Sequence, residues 1–184
     1  MNPRTRATLL AATTVLALAV GVFSPAAAQR TSFPDPADMG GASLNDIRRV
    51  TVDHRVDRLV VTVRFVDLRR DSEGGPASLT MLFNTRSAQA GPEFRLTSGL
   101  YDGTDYQLMR VRDGRPVGEP LTCAHHVTLD PAADTLRFRA ARSCLDLPTR
   151  VRTGVKMTDE YDASHPVTDW LGERRSFTPW VPMS

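Results

Sequence analysis

The sequence predicts an all-β protein: one β-sandwich, jelly-roll or immunoglobulin-like, of roughly eight or nine antiparallel strands. Three observations lead there. Apolar residues alternate in steps of two through most of the chain beyond residue 45. The stretches between those runs are rich in Gly, Asp and Pro. Outside the first 28 residues, no window sustains an apolar period of 3.6, so no amphipathic helix is expected. Short alternating runs separated by turn residues are the pattern of a sandwich or barrel.

Taken in order, "RRVTVDH" places Val50, Val52 and His54 on one face. "RLVVTVRFV" places Leu59, Val61, Val63 and Phe65 on one face, and the "HRVDR" between the two runs makes them a hairpin. "LTMLFNT" supplies Leu79, Met81 and Phe83, and "EFRLTS" supplies Phe94 and Leu96. "DYQLMRV" supplies Tyr106 and Leu108, with Met109 and Val111 opposite; "VRTGVKM" supplies Val151, Val155 and Met157. Turns are expected at 71–76, 89–92, 113–118 and 130–134, where Gly and Asp accept unusual backbone angles and Pro withholds a ladder donor. Residues 29–45 form a polar acidic segment expected to wrap an edge. The sandwich is expected over 46–184, with an irregular tail from 158 that holds three prolines and two tryptophans.

The only two cysteines bracket "CAHHVTLDPAADTLRFRAARSC". With "DPAAD" as the turn and Cys123 opposite Cys144, Val127 faces Ala140 and Leu129 faces Phe138. The inward set is then Cys123, Val127, Leu129, Leu136, Phe138, Ala140 and Cys144. His126, Thr128, Asp130, Arg137, Arg139 and Ser143 point outward. One register satisfies both the cysteines and the apolar pattern, so a disulfide-closed hairpin is predicted. His125 and His126 are adjacent on a strand and point to opposite faces, which is the wrong arrangement for chelating one metal.

Residues 1–28 read as a secretory signal peptide. Arg4 and Arg6 precede the apolar run Leu9 to Phe23, and Ala26-Ala27-Ala28 offers a small-residue cleavage site before Gln29. A Sec-type route and a secreted, extracellular location follow as expectations, with no membrane span in the mature chain. Of the 23 Lys+Arg, Arg4 and Arg6 would leave with this peptide, and the remainder balances the 21 Asp+Glu. A near-neutral chain gives no basic face for nucleic acid.

Nothing marks a catalytic centre. There is no G-x-S-x-G elbow, the cysteines are paired, and His54 and His165 sit in no motif. The chain is therefore expected to be no enzyme. "FPDPADMGGASLNDI" is more suggestive: Asp35, Asp38 and Asp46 flank a Gly-Gly pair, and flexible loops of this kind offer carboxylates and carbonyls to calcium. The same residues also serve as ordinary solvated turn-formers. Trp170, Trp180, Tyr101 and Tyr106 are the candidates for stacking on a sugar ring, although large aromatics more often close the end of a sandwich.

"DPADMGGASLNDIRRVTVDHRVDRLVVTVRFVDL" resembles the opening of DOMON-like and CBM9-like β-sandwich domains. The matching positions are Asp35, Asp38, Gly40, Asp46, Ile47, Val50, Phe65, Asp67 and Leu68. The later stretch "DTLRFRAARSCLDLPTRVRTGV" is similar to exported proteins of high-GC Gram-positive bacteria. The resemblance implies an extracellular recognition module for sugars, with haem or calcium bound in some members, and only the acidic segment carries over by residue. The expected function is a secreted, non-enzymatic binding module for a carbohydrate or cell-envelope ligand. A small extracellular hydrolase and a purely structural or inhibitory protein are the competing classes.

Overall fold

The computed structural model describes residues 30–70 and 77–184. The expected signal peptide and the expected turn at 71–76 lie outside the described residues. Two antiparallel sheets face each other. One has the order β1-β2-β3-β9-β8, built from β1 (Arg30–Pro34), β2 (Ile47–His54), β3 (Arg58–Phe65), β8 (His125–Asp130) and β9 (Thr135–Ala141). The other has seven strands in the order β11-β10-β4-β5-β6-β7, with β12 also on β10. These are β4 (Ala77–Asn84), β5 (Phe94–Gly99), β6 (Tyr106–Arg112), β7 (Arg115–Val117), β10 (Arg150–Asp159), β11 (Val167–Trp170) and β12 (Val181–Pro182).

The alternation puts the core where period-two reasoning places it. Val50, Val52, Leu59, Val61, Val63, Phe65, Leu136, Phe138 and Ala140 are buried on one sheet. Leu79, Met81, Phe83, Phe94, Leu96, Leu108, Val151, Val155 and Met157 are buried on the other. Phe83 and Phe138 meet across the interface with ring centroids 5.2 Å apart. No helix among the described residues is long and apolar enough to cross a membrane.

Two local expectations are corrected. The described residues hold twelve strands, not eight or nine, because the polar segment supplies β1, the expected 113–118 turn contains β7, and the tail supplies β11 and β12. These strands are short or lie at sheet edges, where weak apolar alternation suffices. The hairpin register is also displaced. Val127 faces Phe138 and Leu129 faces Leu136, not Ala140 and Phe138. A displacement of two keeps every side chain on its expected face. The cause is the 3-10 helix Arg142–Leu145, which carries Cys144. An extended strand would set residue 142 opposite Cys123; the tighter 3-10 coil advances less per residue and brings Cys144 back into reach. The Cys123–Cys144 bridge is present, with Cα atoms 5.6 Å apart.

Candidate functional site

The acidic segment is built by the turn between β1 and β2. Pro34 pairs with Arg49, and the Asp35 N–H donates to the Arg48 carbonyl at 3.0 Å, so the chain leaves and re-enters the sheet side by side. Between those points it reverses through Gly40 and Gly41, whose φ values of 59° and 82° lie in the left-handed region that glycine tolerates. The return leg is tied down when the Val66 and Asp67 N–H groups donate to the Asp46 and Leu44 carbonyls, and when Ser43 Oγ donates to Asp159 at 2.7 Å. A β-bulge then falls between Ile47 and Arg49, next to the acidic residues.

Asp35, Asp38 and Asp46 converge, and the fold adds a fourth carboxylate, Asp169 of β11. One oxygen from each lies within 4.8 Å of the others. Asp35, Asp46 and Asp169 are 4%, 3% and 3% exposed, while Asp38 is open to solvent. Two anchors cross from one sheet to the other. The Ile47 N–H donates to Asp169 Oδ2 at 2.7 Å, and the Gly172 N–H donates to Asp35 Oδ1 at 2.6 Å. The other Asp35 oxygen, Oδ2, is buried without a partner, and so is Asp46 Oδ1. Arg48 attracts Asp35 and Asp46 electrostatically, but its own Nη1 is buried and unpartnered.

The electrostatics are those of crowded, desolvated carboxylates. Burial pushes the Asp169 carboxyl up to about 6; the Ile47 N–H works against this, and the charges of Asp35, Asp38 and Asp46 add to it. Burial likewise raises Asp35 and Asp46, with Asp38 adding repulsion to each. Sequence reasoning missed Asp169. Its signal was present: Val167, Asp169 and Leu171 share one parity, so a lone carboxylate interrupts an inward-facing apolar series.

Among the described residues, two further polar clusters and a buried histidine lie apart from the four carboxylates. Ser164, His165 and Asp162 touch one another in an exposed loop, but Ser164 Oγ and Asp162 Oδ2 both meet the same ring nitrogen, His165 Nδ1, at 2.9 and 3.0 Å. A proton relay requires the hydroxyl and the acid on opposite nitrogens. Cys123, His125 and Cys144 also lie together, but both sulfurs are in the disulfide and His125 Nδ1 is 2.7 Å from the Cys123 carbonyl oxygen. His54 is fully buried, with Nδ1 3.3 Å from the Val181 carbonyl oxygen.

Of the four candidate aromatics, Tyr101 and Tyr106 line one depression, and neither tryptophan lines it. Trp180 is stacked by the Arg150 and Arg152 guanidiniums, each 4.9 Å from its ring. Tyr106 packs edge-on to His125 and His126, with its hydroxyl 3.2 Å from His126 Nδ1. Tyr101 is half-buried and shares with Tyr106 an open depression of about 420 Å³ that Arg95, Thr97, Asp105 and Gln107 also line. Trp170 lies on the outer face of the seven-stranded sheet. The register there runs Trp170–Lys156–Thr80–Thr97–Gln107, one residue from each of five neighbouring strands. Arg95 and Arg152 share this face by parity, and no carboxylate does among the described strand residues.

No protein-family model, curated protein or solved structure matches this chain.

Proposed function

We propose that the protein is an exported, non-enzymatic recognition module that holds an envelope polysaccharide on the outer face of its seven-stranded sheet. The row Trp170–Lys156–Thr80–Thr97–Gln107 carries this reading. Neighbouring strands are about 4.8 Å apart, so five positions span roughly 19 Å, enough for several sugar units in extended array. An indole at one end offers a stacking surface, and the threonines and glutamine offer hydrogen bonds that fix orientation. The described strand residues of this face include Lys156 and Arg95 and no carboxylate, which favours a polymer bearing phosphate or uronate groups; Asp105, just before β6, lines the same depression as Arg95. Export is supported by the pattern of residues 1–28 and by a disulfide, which persists in oxidising compartments. Kinship with DOMON-like and CBM9-like sandwiches is part of the same proposal, supported by the two-sheet architecture and the acidic opening segment.

Retention of the purified protein on immobilised cell-wall polysaccharide and on cellulose tests the reading. Retention on the anionic polymer should exceed that on neutral cellulose and fall with salt. Trp170→Ala should weaken it about three- to tenfold at unchanged melting temperature. No retention on any polysaccharide would favour a structural or inhibitory role. Turnover in a hydrolase screen, abolished by one carboxylate or histidine substitution, would replace the proposal with an enzyme.

A further inference from the structure

We propose that Asp35, Asp38, Asp46 and Asp169 form a calcium site that joins the two sheets of the sandwich. An acidic cluster alone would say little; the state of its oxygens says more. Asp35 Oδ2 and Asp46 Oδ1 are removed from water and accept no hydrogen bond, although their carboxylates are at least nine-tenths buried. A buried charged oxygen with no partner is costly, and native proteins keep one where a cation or proton completes it. The sets of bonds differ in kind. Asp169 Oδ2 and Asp35 Oδ1 are held by backbone N–H groups, which fix the carboxylates in place and leave their second oxygens free to coordinate.

The donor set selects the ion. All four side chains are hard oxygen donors, with no thiolate or free imidazole among them, which disfavours zinc and copper. Three ligands come from a loop containing Gly40 and Gly41 and one from a strand of the opposite sheet. Such a mixed, adjustable shell suits the six to eight oxygens and irregular geometry of calcium better than the rigid octahedron of magnesium. Asp38 is the exposed member and leaves a path for the ion to enter. Without a cation, up to four negative charges share a space less than 5 Å across, with Arg48 as the positive neighbour. Burial foremost, with the repulsion among them in addition, raises the Asp169, Asp35 and Asp46 carboxyls.

The test is thermal unfolding and calorimetric titration of the purified protein with calcium chloride alone, at neutral pH. A ligand that binds only the folded state should raise the melting temperature by about 5–10 °C at a hundredfold excess over its Kd. A chelator should reverse this shift. Asp38→Asn, at the exposed position, and Asp169→Asn, which keeps an oxygen for the Ile47 N–H, should each weaken calcium binding at least tenfold. Both variants should also melt higher than the wild type in chelator, because each removes a repelled charge; a purely structural aspartate would give the opposite sign. Identical wild-type melts in calcium and chelator, with no heat of binding, would overturn the proposal. An equal response to magnesium would overturn the choice of ion. Neither result bears on polysaccharide retention, which is read on a different face.

Discussion

Gly172 donates its N–H to an oxygen of Asp35 at 2.6 Å, across 137 residues of sequence and from one sheet to the other. With the Ile47–Asp169 bond it ties the first edge of the five-stranded sheet to the last strands of the seven-stranded one. This end of the sandwich is therefore held by polar contacts, while the middle is held by packed side chains.

The first prediction concerns pH. A carboxyl raised from 3.8 to about 6 makes the folded state bind more protons than the unfolded state between those values. Its stabilising effect is thus complete below pH 3.8 and is lost as the pH rises through about 6. His54 acts in the opposite direction: burial lowers its pKa, so acidification below 6.5 favours unfolding. Comparing wild type with Asp169→Asn in chelator isolates the carboxylate. The variant should be more stable by up to about 3 kcal/mol at pH 7.5, and the gain should shrink towards pH 4.5. A difference that does not vary with pH would contradict the assignment.

The second prediction concerns the disulfide. Peptide mapping without reduction should recover Cys123 linked to Cys144. The bridge closes a loop with a sequence separation of 21. Replacing both cysteines by alanine should cost about 2–5 kcal/mol in chemical denaturation. Alkylation of both thiols before reduction would show that the bridge does not form.

The third concerns Gly154, in the middle of β10. A Cβ here would stand 3.0 Å from the Ser176 carbonyl oxygen and 3.4 Å from the Phe177 ring. Backbone gives way less readily than a side chain. Gly154→Ala should therefore lower stability by about 1–3 kcal/mol, despite alanine's better strand propensity. Protease cleavage near residues 171–177 should quicken in step, and unchanged cleavage would show that the segment is not displaced.

The fourth concerns the core. Phe138 is fully buried and stacks on Phe83 of the facing sheet. Phe138→Ala should cost about 3–5 kcal/mol, measured by denaturant midpoint at unchanged m-value.

Much of this architecture was legible as alternation. The inward series from Leu59 to Phe65 and from Leu136 to Ala140 needed only period two, because each strand buries one face. The register of the β8–β9 hairpin was less accessible, since a 3-10 turn at Arg142–Leu145 changes the rise per residue and no apolar pattern records it. Of the acidic residues, Asp35, Asp38 and Asp46 are neighbours in sequence and could be grouped by eye. Asp169 lies more than a hundred residues away on a four-residue strand. Its place depends on how the two sheets stack, which local periodicity does not encode. The row from Trp170 to Gln107 depends on the order β11-β10-β4-β5-β6, a non-local property of the same kind.

Asp169 and Trp170 are consecutive on β11, so an indole stands one peptide unit from the carboxylate cluster, on the other side of the sheet. The chain thereby carries its own optical antenna. Trivalent terbium prefers the same oxygen donors as calcium and emits strongly only when a nearby aromatic group passes it excitation. Terbium added to this protein should glow green under tryptophan excitation, dim as calcium displaces it, and lose most of that sensitisation in Trp170→Phe while keeping its affinity.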